Sequence, residues 1–472
     1  MKLEINIFKN TSIHFLGKII SLLINIGFFA IAARYLGQVG FGKFTIVMAY
    51  LQTFSIFADW GLYMIFVQML SIGKYSKSYL MSNFFTLRII ISILILGVGI
   101  LISFLIPQYG DLIELGIAIT AISFIFSSLV QLFTGFFQYK MKMGKVALAE
   151  SLGKAALFGF VLLASQFDLG ILFILTGVII GSLVSFLILF FSIKKYINIK
   201  FAFNIELYKK VFQKTWPVGV SIILTTVYFK GDTIILSLFR PASEVGIYGA
   251  AYRVLEVLIM FPPIFMGLVL PHMSRMLAKK ALKKFKSIFQ KSFDFFIALI
   301  IPLVVGTWYL ADKIMVFVAG ESFSAAGGPL KILIIATALI FLSSLGSYTI
   351  IALEKQKKML KFYGLAVFLG ISGYIALVPK FTYWGAAIVT VLVEAVVTIG
   401  ALIVIWKETK INLDFKVLKK SLLATLIMAI IGILIKDFHV ILMAFLFILV
   451  YFGSLFMLGG ISKDFIKKLK FK

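Results

Sequence analysis

Cysteine is missing from this sequence, which removes disulfides, thiolate metal sites and a cysteine nucleophile together. Histidine is nearly missing: His14, His272 and His439 stand far apart and never in a ligand-like pair, so metal-dependent chemistry is not expected. Charge is scarce, at 14% of residues against about 25% in soluble domains. Acid is scarcer than base, with 19 Asp and Glu against 46 Lys and Arg and a net charge of +27. No long polar segment occurs, which leaves no room for a separate soluble enzyme domain.

What fills the chain instead is apolar: 61% of its 472 residues are hydrophobic. A water-soluble core of this size could not hide that much apolar surface, so the bilayer is the expected solvent. Stretches long enough to span fall near 12 to 35, 41 to 66, 83 to 106, 112 to 138, 147 to 165, 169 to 193 and 214 to 238. Seven more fall near 243 to 271, 292 to 310, 330 to 353, 359 to 379, 382 to 406, 419 to 436 and 438 to 460, making fourteen.

The lysines give an independent check, because bases gather in short cytoplasmic loops. "KKYINIK", "RMLAKKALKKFKSIFQK" and "KDFIKKLKFK" all lie on the side shared by both termini, and the opposite loops carry Asp111, Asp168, Glu244, Asp312, Glu321 and Asp437 with few bases. Both termini are therefore expected in the cytoplasm, with an uncleaved first helix. The excess of bases forms an inward collar that attracts anionic membrane lipids, and no nucleic acid is needed to explain it. In "RMLAKKALKKFKSIFQK", Ala278, Leu282, Phe285 and Phe289 recur at helical spacing. A helix on the inner leaflet and a solvated basic loop both fit that pattern.

"GQVGFGKF", residues 37 to 44, comes close to a phosphate-binding loop, but Phe44 replaces the hydroxyl that would hold Mg²⁺. Sidedness puts it in an external turn, out of reach of cytoplasmic ATP. Its glycines suit a tight turn where two helix ends approach closely. "GFGKF" at 40 to 44 and "EVGIY" at 244 to 248 each join the first two spans of a six-helix block, about 200 residues apart. Such a repeat predicts parallel halves related by an axis along the membrane normal, with a central cleft. The fold class is thus an all-α polytopic membrane protein: a six-helix lobe over 1–200, a second over 201–410, and two further helices with a basic tail over 411–472.

"AARYLGQVGFGKFTIVMAY" followed by "FADWGL", and "GDTIILSLFRPASEVGIYGAAYRVLEVL" in the second half, resemble the Wzx-type polysaccharide flippases. These belong to the multidrug/oligosaccharidyl-lipid/polysaccharide exporter superfamily, and the resemblance covers the whole chain. It implies a MATE- or MurJ-like fold, a cationic cavity, and transport without covalent chemistry, so no enzyme and no cofactor. One departure is Gln68, which stands where the family often has arginine.

Ionisable residues inside spans cost at least ~2.5 kcal/mol near the bilayer centre and so usually face water or each other. Lys230 and Asp232 lie in span seven, and Arg253 and Glu256, one turn apart, in span eight. Two readings stay open: the four neutralise each other and tie helices together, or Arg253 and Lys230 bind a phosphate-bearing head group with the acids tuning them. Arg34, which with Lys43 brackets the external turn, is a third candidate cation. Asp59 in span two and Glu394 in span twelve have no obvious partner and are candidates for coupling to a proton or Na⁺ gradient. Lys18, Arg88 and Lys154 sit near cytoplasmic ends and are expected to snorkel. Pro262 and Pro263 in span eight and Pro302 in span nine are expected to bend their helices.

The resulting expectation is a flippase in the bacterial cytoplasmic membrane. It would move a polyprenyl-pyrophosphate-linked oligosaccharide outward for O-antigen, capsule or exopolysaccharide synthesis, with other polysaccharide-assembly membrane proteins as possible partners. The alternatives are a multidrug exporter of the same superfamily and a polysaccharide polymerase or ligase. Exporters usually have twelve spans and acidic cavities. Polymerases and ligases carry a large basic external loop, whereas 311 to 329 here has one lysine.

Overall fold

A computed structural model describes residues 2–460, with side chains for 17–216, 219, 220, 222 and 230–460. The expected basic tail, and the side chains of Lys2, Lys9 and His14, lie outside the described residues. Every regular element among the described residues is helical, as hydrocarbon requires of any chain that must satisfy its backbone internally.

In chain order the α-helices are α1 (Lys2–Asp59), α2 (Leu62–Ile72), α3 (Lys77–Ser103), α4 (Gly110–Tyr139), α5 (Met143–Phe167), α6 (Gly170–Lys194) and α7 (Ile205–Phe239). They continue as α8 (Ala242–Ile259), α9 (Phe261–Ala278), α10 (Leu282–Ala319), α11 (Gly327–Ala352), α12 (Leu360–Thr409), α13 (Lys416–Leu434) and α14 (Val440–Met457). Eleven stretches among the described residues are long and apolar enough to cross a membrane. Two of these, Gly17–Ile72 and Gln356–Thr409, are long enough for two passes each and are divided between the passes at Gly37 and Thr382 respectively. With α7 this agrees with about fourteen passes, and the breaks fall where the sequence separates its spans.

Local chemistry explains several boundaries. Gly37 takes φ 62, a left-handed conformation that glycine adopts without steric cost. Ser76 caps α3 by accepting from the Tyr79 N–H at 3.2 Å, and Asn204 caps α7 by accepting from Leu207 at 2.8 Å. Pro262 and Pro263 were expected to bend span eight; they occupy the first turn of a new helix, α9, where a missing N–H costs nothing. Pro302 lies inside α10. Trp60 and Gly61 take φ 43 and 80, so the "DWGL" motif interrupts its helix, which resumes as α2.

The basic segment after α9 is not a separate helix on the membrane surface. The chain turns at Lys280, φ 53, and Phe285 and Phe289 are buried in the first turns of the membrane helix α10. Their helical spacing reports core packing within α10.

The chain divides into two compact units, with the boundary between Gly246 and Ile247, inside α8. Division by contact differs from division by sequence repeat: α7 packs on α1 and α2 of the first unit. In that unit α5 packs on α6 and α1, and α4 on α6 and α3, around a core that includes Phe66, Phe84, Phe133 and Phe136. In the second, α11 packs on α12 and α10, while α13 and α14 close over α10 through Leu310, Met428, Phe447 and Tyr451. Within the first unit the two repeat motifs meet. A Cβ on Gly42 would overlap the Ala242 carbonyl oxygen, and one on Gly246 would overlap that of Gln38. Glycine is needed there because backbone packs on backbone.

Candidate functional site

In the second unit, α8 presents Arg253 and Glu256 three residues apart, close enough on a helix to touch. Arg253 Nη1 donates to Glu256 Oε2 at 2.7 Å, and the side chains are 27% and 29% exposed. The pair is therefore not sealed in the core. Arg253 makes no other hydrogen bond among the described residues, which leaves most of its five N–H donors available to a ligand.

In the first unit, Lys230 is half-buried and Asp232 buried on α7. Asp232 Oδ1 accepts from the Thr233 N–H at 2.6 Å and from Thr233 Oγ1 at 3.2 Å. Arg34 is exposed, three residues before the break at Gly37. Its neighbour Tyr35 donates to Asp168 at 2.9 Å and accepts from the Gly170 N–H at 2.8 Å, pinning the end of this pass to the turn between α5 and α6. In the turn between α7 and α8, Arg240 donates twice to Glu244, at 2.8 and 2.7 Å. Accepting those bonds, Glu244 raises the Arg240 guanidinium above its ordinary value.

Asp59 does have a partner, and it is Arg88. Arg88 is 1% exposed; its Nη2 donates to Asp59, and its Nη1 donates to the Ser128 carbonyl at 2.8 Å, Ser128 Oγ at 3.1 Å and Gln131 Oε1 at 3.0 Å. The expectation that Arg88 snorkels is thus overturned. Its guanidinium turns into the bundle, where fixed acceptors replace lipid head groups and water. Next to it, Tyr63 of α2 donates to Gln138 Oε1 of α4. The sequence reading missed this polar network. Its only sequence signal is the recurrence of polar residues on one face of span four.

Glu394 is 3% exposed on α12 and has no hydrogen bond or ion pair among the described residues. One turn before it, Thr390 Oγ1 meets the hydroxyls of Tyr248 at 3.3 Å and Tyr374 at 3.2 Å. The structure thus joins Arg253 to Glu256 and Asp59 to Arg88, and leaves Glu394 buried beside a cluster of hydroxyls.

On the basic side of the first unit, Lys140, Lys142 and Lys145 gather over the ring of Tyr196 at 5.9, 4.9 and 5.1 Å from its centroid. Lys142 donates to its hydroxyl at 2.9 Å, and that bond lowers the phenol below its ordinary range.

Comparison with known proteins adds a family to this geometry. The family model described as polysaccharide biosynthesis protein matches residues 7–277, more than half of the chain, and the MatE model matches 217–374. The chain is 25% identical over 373 residues to "Probable low-salt glycan biosynthesis flippase Agl15" of Haloferax volcanii, covering 78% of this chain and 76% of that protein. Its fold is similar to that of the lipid II flippase MurJ in an inward closed conformation, with TM-score 0.77 and 17% identity over 98% of this chain and 100% of that one. It is also similar to an inward-facing multidrug resistance MATE family transporter of the MOP superfamily, with TM-score 0.65 and 13% identity over 83% and 94% of the two chains.

Proposed function

The chain belongs to the polysaccharide biosynthesis protein family, and from that premise we propose that it is a flippase for a polyprenyl-pyrophosphate-linked oligosaccharide, moving it from the cytoplasmic to the outer leaflet for surface polysaccharide synthesis. The observation that carries this reading is the half-exposed Arg253 with uncommitted donors in the middle of a membrane helix. Sugars and two phosphates cannot cross hydrocarbon, and a polyprenyl tail cannot leave it. A wet cation at mid-membrane serves the first while the tail stays in lipid. Arginine suits the task because its planar fork grips phosphate through two hydrogen bonds. Glu256 holds one of those donors until the head group arrives. Lys230 and Arg34 are the supporting cations.

Transport of this kind forms and breaks no bond in the substrate, so the protein acts as a transporter, with a proton or Na⁺ gradient as its energy source. The coupling site is Glu394. Asp59 is already neutralised by Arg88 and has little to gain from a cation, whereas Glu394 is buried without such a partner among the described residues. The protein resides in the cytoplasmic membrane with both termini inside. There the lysines around Tyr196 hold anionic lipid head groups.

The test is flipping of a labelled polyprenyl-pyrophosphate sugar in proteoliposomes. Arg253→Ala and Lys230→Ala should each slow it about tenfold or more, as loss of a charge-assisted contact implies. Equal rates in all three proteins would remove the site assignment, and no flipping by wild type under any gradient would remove the function. A second reading, export of amphipathic drugs, draws on the MatE match to residues 217–374. Drug efflux without flipping in the same vesicles would favour it.

A further inference from the structure

Helix α4 carries two exposed stripes of opposite chemistry. Leu115 and Ile122, seven residues apart, are exposed and apolar, as a lipid-facing stripe should be. Ser127, Gln131, Thr134 and Gln138 follow at steps of four, three and four, which places them together on a different face. Ser127, Gln131 and Gln138 are exposed and Thr134 is half-buried. The stripe begins near the middle of α4 and runs to its end, about 16 Å at the helical rise. That is longer than one head-group layer, roughly 5–8 Å deep, so much of it sits at hydrocarbon depth. Free amides against lipid there would go unsatisfied, and the face therefore meets water.

Its chemistry is specific. No charged side chain projects from it, and the guanidinium behind it is buried and neutralised by Asp59. Both amide oxygens are engaged inside the unit, Gln131 Oε1 by Arg88 and Gln138 Oε1 by Tyr63, and neither NH₂ group makes a hydrogen bond among the described residues, so both remain as donors. The two amides lie about 10 Å apart along the axis, a reach of more than one sugar ring. Hydroxyls and a half-exposed tyrosine ring lie beside them. An anionic head group would find no cation here and a cationic drug no free acid, whereas an uncharged polyhydroxylated chain would find donors, acceptors and an aromatic ring.

We infer that this face of α4, with Tyr63, carries the sugar portion of the transported lipid and recognises it beyond its first residue, separately from the cation that takes the phosphates. The inference rests on the flippase reading above. It is tested with two probes, polyprenyl-pyrophosphate carrying one hexosamine or carrying a tetrasaccharide, in proteoliposomes of wild type, Gln131→Met and Gln138→Met. Each variant should slow the tetrasaccharide about fivefold, the loss of one hydrogen bond, and the single sugar by less than about twofold. Gln138→Met leaves the acceptors of Arg88 intact and reads the result if Gln131→Met fails to fold. The chain lacks cysteine, so Ser127→Cys and Thr134→Cys can also be probed singly with a charged thiol reagent, with Ile122→Cys as the lipid-facing control. Labelling of the first two and not the third is expected. Equal slowing of both probes, or of neither, overturns the assignment, as does resistance of positions 127 and 134 to the reagent. A wild type that moves neither probe while both cysteines label removes the flippase reading instead, and the sugar assignment falls with it.

Discussion

Replacing Asp59 with Asn should be among the most destabilising single changes in the first unit, and the size of the loss follows from exposure. Arg88 is 1% exposed, so no water can take over when its counter-charge is removed. Unit charges ~4 Å apart attract by ~4 kcal/mol at an effective dielectric of 20, and the asparagine oxygen keeps one hydrogen bond worth ~1 kcal/mol. The expected cost is therefore about 3 kcal/mol, at the lower end of the range for breaking a buried pair. Arg88→Met should cost less, about 2 kcal/mol, because Asp59 is 18% exposed and can draw in water. With both changes present no uncompensated charge remains, so the double variant should resemble Arg88→Met and the cycle should show a coupling of about 2–3 kcal/mol. Equilibrium unfolding in mixed micelles titrated with dodecyl sulfate, run on all four proteins, measures each term. A cost below about 1 kcal/mol for Asp59→Asn, or additivity within about 0.5 kcal/mol, would refute the claim that this pair is a sealed, mutually dependent unit.

Three further outcomes are expected. Glu394→Gln should abolish the acceleration of flipping by an imposed ion gradient while leaving gradient-free exchange measurable, and a variant that still responds to the gradient would move coupling elsewhere. Gly42→Ala should destabilise by about 1–3 kcal/mol because its Cβ overlaps the backbone of Ala242, whereas Gly97→Ala, in α3 with nothing within 4 Å, should be neutral or stabilising by up to about 1 kcal/mol. Parallel melting curves decide between the two. Changing Lys140, Lys142 and Lys145 together to Gln should reduce co-purified anionic lipid, read by mass spectrometry, by about 1 kcal/mol of affinity per lysine removed. Unchanged lipid content would show that the lysines around Tyr196 are only solvated.

The sequence was most legible where a property depends on neighbours along the chain. Gly37 and the step from residue 379 to 382 separated spans in the sequence, and the helices break at Gly37 and Thr382. Arg253 and Glu256 could be paired by counting, because three residues make nearly one turn. The same counting failed for Phe285 and Phe289: an amphipathic pattern records that one face is apolar, and it cannot say whether lipid or protein covers that face. It failed for Arg88 too. A cation some eleven residues into a helix looks the same whether it reaches outward to head groups or inward to a carboxylate 29 residues away.

The sequence by itself determined that the chain is a many-pass helical membrane protein, and where most passes begin and end. Hydrocarbon forces every spanning segment to satisfy its own backbone, which makes each span a local property of about twenty residues. Only the tertiary structure decided which charges neutralise each other, which acid has no ion pair among the described residues, and which polar side chains of α4 are exposed. Those outcomes depend on how each helix is rotated against its neighbours, and that rotation is set by the packing of residues far apart in the chain.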